Sequence, residues 1–265
     1  MTTGPRQAGD GTVAKALTVL DAVAEHGRPV RFSELLEESP YPKATLYRFM
    51  QVLTQQGMLS FDPERQTYAP GLRLVRLAHA AWQASSLAPI ARPHLDRLSR
   101  ETGETVHLAQ LDGGQVLYVD KRNAREPVAM YSQAGKVGPA YCTGVGKAML
   151  AHLPETELAP VLQQQSWHAF TGKTITTSDA MRHELSEIRA RGHAFDDEEH
   201  EPGIICIAVP ILTRSGRVLG AVSVTSTTAR TDLDGLTRHL PALRAAVSAI
   251  AGEAQDWRFP DQAAE

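Results

Sequence analysis

The backbone amides of Gly144, Val145 and Gly146 open the apolar helix of AYCTGVGKAMLAHLP. Amides at the positive end of a helix make a seat for a carboxylate or a phosphate. The nucleotide motifs do not fit this turn. A phosphate-binding loop needs a glycine where Tyr141 stands and a hydroxyl where Ala148 stands, and a dinucleotide fingerprint needs a glycine at Met149. The turn reads either as a seat for a small acid or as a tight helix entry with no ligand.

A second chemical stretch is FDDEEHEPGIICIAVP with its partner strand VLGAVSVTST. Period-two alternation puts Ile204, Cys206 and Ala208 on one face. It likewise puts Ala221, Ser223 and Thr225 opposite Val222 and Val224. A face of Cys, Ser and Thr among small apolar residues can line a pocket for a small polar ligand. The alternative is a solvated face on which Cys206 is a small hydrophobe. His193, Asp196, Asp197, Glu198, Glu199 and His200 are metal-ligand types, but their spacing matches no zinc motif, so no metal and no cofactor is expected. Cys206 with His193 or His200 as base would suit a thiol enzyme. Its surroundings, apolar on one side and acidic on the other, raise a thiol pKa, so an inert, ligand-contacting Cys206 and no enzyme are expected.

Different chemistry is written in YPKATLYRFMQVLTQQGMLSFDPERQTYAPG. Lys43, Ala44, Thr45, Tyr47 and Arg48 fall at the start of a helix, away from the apolar stripe Leu46, Phe49, Met50 and Leu53. Arg65 lies in the Asp-Pro-Glu-Arg turn of a following hairpin. Basic and hydroxyl side chains at such a helix start contact phosphates and base edges in a DNA major groove. The plainer reading is a helical bundle with Lys43 and Arg48 solvated. Residues 1–70 hold seven basic and eight acidic side chains, so only the local clustering on this helix favours DNA.

These residues require particular elements to position them. VAKALTVLDAVAEHG, with Val13, Leu17, Leu20, Val23 and Ala24 at helical steps and Gly27 as exit, predicts a first helix. FSELLEES predicts a second with Ser33 as N-cap, and Pro42 suits the first position of a third. MLSF and QTYA predict the hairpin that completes a winged helix-turn-helix over 12–71. GLRLVRLAHAAWQASSL predicts a linker helix over 72–88, with Leu74, Leu77, Ala78 and Ala81 beside Leu72, Val75 and Trp82. So broad an apolar face points to a dimer contact; the alternative is that it closes the first domain's core. Pro89 and Pro93 mark the next boundary. From 89 to 257 helices alternate with hairpins: VHLAQLDGGQVLYVDKR turns at Asp112-Gly113-Gly114, EPVAMYS is a further strand, and IICIAVPILTRSGRVLGAVSVTST turns at Arg214-Ser215-Gly216. With helices over MRHELSEIRARG and LDGLTRHLPALRAAVSAIAGEA, the fold class is α+β in two domains.

At 265 residues and a net charge of −3, the chain can bury a core and has no global basic field for nucleic acid. Cys142 and Cys206 form no C-x-x-C pair, which points to a reducing cytoplasm. Residues 1–11 and 258–265 read as polar tails, the first of them mobile. IICIAVPIL, interrupted by Pro210, is short for a membrane helix.

PKATLYRFMQVLTQQG, PAYCTGVGKAMLA and FDDEEHEPGIICIAVPILTRSGRVLGAVSVTS, in that order, resemble the IclR family of bacterial transcription regulators. The resemblance covers nearly the whole chain. It implies a winged helix-turn-helix, a linker helix and a GAF-like effector domain, assembled as dimers or tetramers on a double-stranded operator, with most members regulating catabolic genes. ETVHL, MYSQAGKVGPAYCTGVGKAMLA and the RFP tail are most similar to regulators answering to 2-keto-3-deoxygluconate and related sugar acids. By motif, the family's effector pocket falls on Gly144, Val145, Asp196, Cys206, Ser223 and Thr225, with Met130 and Ile204 as apolar walls. Gly138-Pro139 departs from several relatives, which carry a bulkier residue before the proline; this bears on pocket size.

Overall fold

The structure, a computed structural model, describes residues 11–85, 87–128 and 130–255. The two tails, apart from Gly11, and the RFP motif therefore lie outside the described residues. The chain divides into two compact units, one through Ala84 and one from Ser85.

The first unit runs α1 (Thr12–Glu25), β1 (Val30–Arg31), α2 (Phe32–Glu38), α3 (Lys43–Gln55), β2 (Leu59–Asp62), β3 (Thr67–Pro70) and α4 (Leu72–Ser85). Helix α3 buries Leu46, Phe49, Met50 and Leu53, the stripe its periodicity predicts. On α1 the buried residues are Val19, Leu20 and Val23, while Val13 and Leu17 are 74% and 48% exposed and Ala24 is also exposed. Two apolar stripes overlap on this helix, and packing selects the one nearer α3 and β3. Ser33 is not the cap of α2, which begins at Phe32. The Glu34 carboxylate instead accepts the Arg31 N–H at 2.9 Å and holds Arg28 at 2.5 Å, closing the helix start. Pro42 sits one residue before α3, where its carbonyl accepts the amides of Thr45 and Leu46 at 2.9 and 3.0 Å. In the hairpin, Asp62 Oδ1 accepts the amides of Glu64 and Arg65 at 2.9 and 3.1 Å, which sets the tip. The sheet order is β1-β3-β2; two-residue β1 is too short to read from pattern.

The second unit runs α5 (Ala88–Thr102), β4 (Thr105–Asp112), β5 (Gln115–Arg122), β6 (Val137–Pro139), α6 (Gly144–Leu150), α7 (Glu155–Gln164), α8 (Ser178–Arg191), β7 (Ala194–Asp197), β8 (Ile204–Leu212), β9 (Val218–Thr227), α9 (Leu233–Thr237) and α10 (Leu240–Glu253). Pro89 and Pro93 lie within α5, the former in the first turn where a missing N–H costs nothing. Six antiparallel strands follow the order β6-β5-β4-β9-β8-β7. EPVAMYS is not a strand: 126–128 and 130–132 join no ladder, and the edge strand is β6 instead. The loop's polar groups find other partners, with Tyr131 N–H on the Glu201 carboxylate at 2.9 Å and Ser132 on His107.

Helices α5 and α10 pack together and against β4 and β8, and α6 lies against β8 and β9. The sheet is thus covered on both faces: Val222 and Val224 are buried on one, and Ala221, Ser223 and Thr225 on the other. The face that carries Cys206, Ser223 and Thr225 is therefore not a solvated one. Ala208 and Ala221 share an apolar cluster with Val145, Ala148 and Met149 of α6. Helix α6 approaches so closely because it begins with glycines. A Cβ on Gly144 would lie 2.4 Å from Cys206 Sγ, and one on Gly146 would lie 2.3 Å from the Ala140 carbonyl oxygen.

Candidate functional site

On α3, Lys43, Ala44, Tyr47 and Arg48 are exposed and Thr45 is half-buried. The Tyr47 ring meets Phe32 edge-on at 5.8 Å, which fixes its direction and ties α3 to α2. Arg48 lies over the Phe49 ring at 5.7 Å. Arg65 is 80% exposed at the hairpin tip, 4.0 Å from Asp62. Helix start and hairpin tip thus offer cations to solvent on elements that the unit's core holds in place.

The second unit encloses a small cavity between α6 and the sheet. Gly144, Val145, Asp196, Ile204, Cys206, Ser223 and Thr225 all line it. The register explains their convergence: Asp196 pairs with Cys206, Cys206 with Thr225, and Ser223 with His107 across neighbouring strands. Met130 is buried but is not part of the wall; its neighbours Tyr131 and Ser132 are. His107, Tyr118, Thr143, His200 and Glu201 complete the lining; none of them is read from the sequence as a pocket residue, His200 only as a possible metal ligand or base. His107 has a signal all the same, since VHLAQL alternates and its strand lies beside VSVTS. Ser132, Tyr131 and His200 come from loops, where no periodicity applies.

Among the described residues, no backbone carbonyl accepts the amides of Gly144, Val145 or Gly146, whereas Lys147 N–H bonds the Thr143 carbonyl at 2.9 Å. Those three are the open donors of a helix start, and the Gly144 amide faces the Cys206 sulfur, a weak acceptor. Asp196 Oδ1 accepts the Glu199 N–H at 2.8 Å. Burial, helped by the Glu199 charge, pushes the Asp196 carboxyl up to about 7. Lys147, 2% exposed, pairs with Glu199 and stands 3.6 Å from Glu184. Burial also drives the Cys206 thiol far above its ordinary range, with Asp196 adding to the effect. Such a thiol is not a nucleophile at neutral pH. Neither candidate base changes this: His193 is held by the Arg191 carbonyl and the Phe195 ring, and His200 packs at a tilt against Tyr131 and Phe170. Burial, with Lys121 nearby, lowers His107 to about 3, so its imidazole is neutral. Among the described residues no lysine or arginine lines the cavity, and no three His, Cys, Asp or Glu side chains converge to hold a metal ion. No helix among them is long and apolar enough to cross a membrane.

The arrangement is that of a DNA-binding unit joined to a ligand-binding one, and comparison with known proteins agrees. Residues 12–63 match the IclR helix-turn-helix domain and residues 79–252 the bacterial transcriptional regulator IclR C-terminal family. The HTH-type transcriptional regulator KdgR of Escherichia coli is 32% identical over 249 residues, covering 94% of both chains. XynR of the same organism, also an HTH-type transcriptional regulator, is 32% identical over 221 residues, covering 83% of this chain and 88% of its own. The crystal structure of Thermotoga maritima IclR superposes with a TM-score of 0.74 at 30% identity, covering 92% of this chain and 98% of that one. The chain belongs to the IclR family of DNA-binding transcriptional regulators and is not an enzyme.

Proposed function

We propose that this regulator binds a double-stranded operator as a homodimer or homotetramer in the cytoplasm, represses a catabolic operon, and is controlled by a small carboxylate, a sugar acid or 2-keto acid. Lys43, Ala44, Thr45, Tyr47, Arg48 and Arg65 make the DNA contacts. The exposed Leu72, Val75 and Leu77 of α4, the helical part of the linker expected over 72–88, support a contact with a second copy. The unit over 89–257 acts as a GAF-like effector domain. Relatives named for a pca regulon and an acetate operon support the catabolic reading.

The observation that carries the effector reading is the amides of Gly144 and Val145, which line a buried, polar-lined cavity and have no backbone acceptor, with Gly146 next in the same turn. They fit a carboxylate. Hydroxyl or keto oxygens of the same molecule then reach Ser223, Thr225 and Asp196, beside Cys206 and Ile204. A thermal-shift panel of sugar acids, keto acids and aromatic acids, followed by gel shifts on the operator, tests this. A ligand at a hundredfold its Kd adds about 2.7 kcal/mol of stability. The effector reading fails if no acid both stabilises the protein and changes operator affinity.

A further inference from the structure

One end of the cavity holds more hydrogen-bond donors than the protein itself satisfies. His107 is buried among three hydroxyls. Ser132 Oγ lies 2.8 Å from Nε2, while Thr225 Oγ1 and Ser223 Oγ lie 3.2 and 3.4 Å from Nδ1 and 3.4 Å from each other. A neutral imidazole has one N–H and one accepting nitrogen, and each hydroxyl adds one hydrogen. With the proton on Nε2, that N–H goes to Ser132. Nδ1 then takes one hydrogen from the Ser223–Thr225 pair, and the other hydroxyl of the pair donates to its neighbour. The Ser132 hydrogen is left over. With the proton on Nδ1, Ser132 donates to Nε2 and one hydrogen of the Ser223–Thr225 pair is left over. The Ser132 backbone also bonds the ring, and counted over the side chains either tautomer leaves one O–H without an acceptor among them.

Tyr118 adds another donor. It is 6% exposed, its ring stands edge-on to His107 at 5.5 Å, and it lines the cavity. Its hydroxyl makes no hydrogen bond to a described residue. Burial, with Cys206 and Asp196 nearby, keeps this phenol protonated and so a donor. Surplus donors that face a cavity call for an acceptor within it. A hydroxyl could accept one of these hydrogens only by bringing another, which Asp196 or Glu201 in the same wall would have to take. A second carboxylate would be desolvated beside Asp196 and Glu201, with no lysine or arginine among the described residues of the wall. A carbonyl oxygen only accepts, and it carries no charge.

We propose that His107, Tyr118, Ser132 and the Ser223–Thr225 pair form a second recognition pole that takes an uncharged carbonyl oxygen of an effector whose carboxylate sits at the other end of the cavity. The regulator thus selects monocarboxylic acids bearing a distal ketone or aldehyde over unsubstituted acids and dicarboxylates. This rests on the effector-cavity reading above.

Calorimetry on the full-length protein with pentanoate, 4-oxopentanoate and glutarate tests it, because the three share one carbon skeleton and differ at the distal end. The wild type should bind 4-oxopentanoate about tenfold or more tighter than the other two, the worth of a good buried hydrogen bond. Tyr118→Phe and Ser132→Ala should each bring that ratio toward one while pentanoate binding and operator binding hold. Equal losses for pentanoate and 4-oxopentanoate, an unchanged ratio in both variants, or a preference for glutarate would overturn the second pole and leave the carboxylate reading standing. Binding of none of the three by a wild type that still binds its operator would overturn both.

Discussion

Replacing Asp196 by asparagine should change how stability depends on pH, in a direction that its burial sets. Asp196 is 7% exposed, and its carboxyl is pushed from 3.8 up to about 7, chiefly by burial. A carboxyl with a raised native pKa holds its proton longer in the folded state than in the unfolded one. Stability therefore falls as pH rises from about 4 to about 7, and the cost is fully present above that window. A displacement of that size, at about 1.4 kcal/mol for each pH unit, amounts to about 4 kcal/mol. His107 acts in the opposite sense. Its native pKa is lowered to about 3 from 6.5, so its contribution is fully present above pH 6.5 and is lost as pH falls toward 3. Between pH 4 and 6.5 the two slopes oppose and largely cancel in the wild type. The substituted amide keeps an oxygen for the Glu199 N–H and removes only the titration. Urea denaturation at fixed protein concentration, from pH 4 to 8, is the assay. The stability difference between Asp196→Asn and wild type should grow with pH through the window to about 4 kcal/mol near pH 8, with the variant the more stable protein there. Parallel curves would refute the reasoning.

Arg48→Ala should weaken operator binding by about 1–3 kcal/mol if Arg48 reads a guanine edge; a loss shared by all sequences with a shallower salt dependence would make it a phosphate contact instead. Gel-shift titrations in which the Lys43→Ala, Arg48→Ala double variant keeps full affinity would remove α3 from the DNA interface. Leu77→Glu should raise the dissociation constant of the assembly by about ten- to a hundredfold, since burying one leucine contributes about 1.5–3 kcal/mol. Light scattering that finds the wild type monomeric at micromolar concentration would defeat the dimer assignment.

Local rules determine a good part of this protein. Leu46, Phe49, Met50 and Leu53 recur at helical spacing, so the buried face of α3 is readable, and with it the side left to Lys43 and Arg48. Asp112-Gly113-Gly114 and Arg214-Ser215-Gly216 mark hairpin turns because their chemistry is local: Gly113, Gly114 and Gly216 take positive φ. Period-two alternation likewise puts Cys206, Ser223 and Thr225 on shared faces without reference to strand order. Helix α1 marks where such rules end. Val13 and Leu17 fit the helical period as well as Val19 does, and only packing against the rest of the unit decides which are buried.

The cavity is decided by tertiary structure. Strand order β4-β9-β8-β7 brings His107, Ser223, Cys206 and Asp196 side by side from positions up to 116 residues apart in sequence. Ser132, Tyr131, His200 and Glu201 join them from loops whose courses follow from side-chain partners. EPVAMYS carries strand-forming residues, yet Tyr131 bonds Glu201 and Ser132 bonds His107, so these two serve as wall and take no place in the sheet. Periodicity reports which face of an element meets the core. Which elements then meet across that core depends on non-local pairing, and the hydrogen-bond surplus at His107 exists only once those strands and loops are assembled.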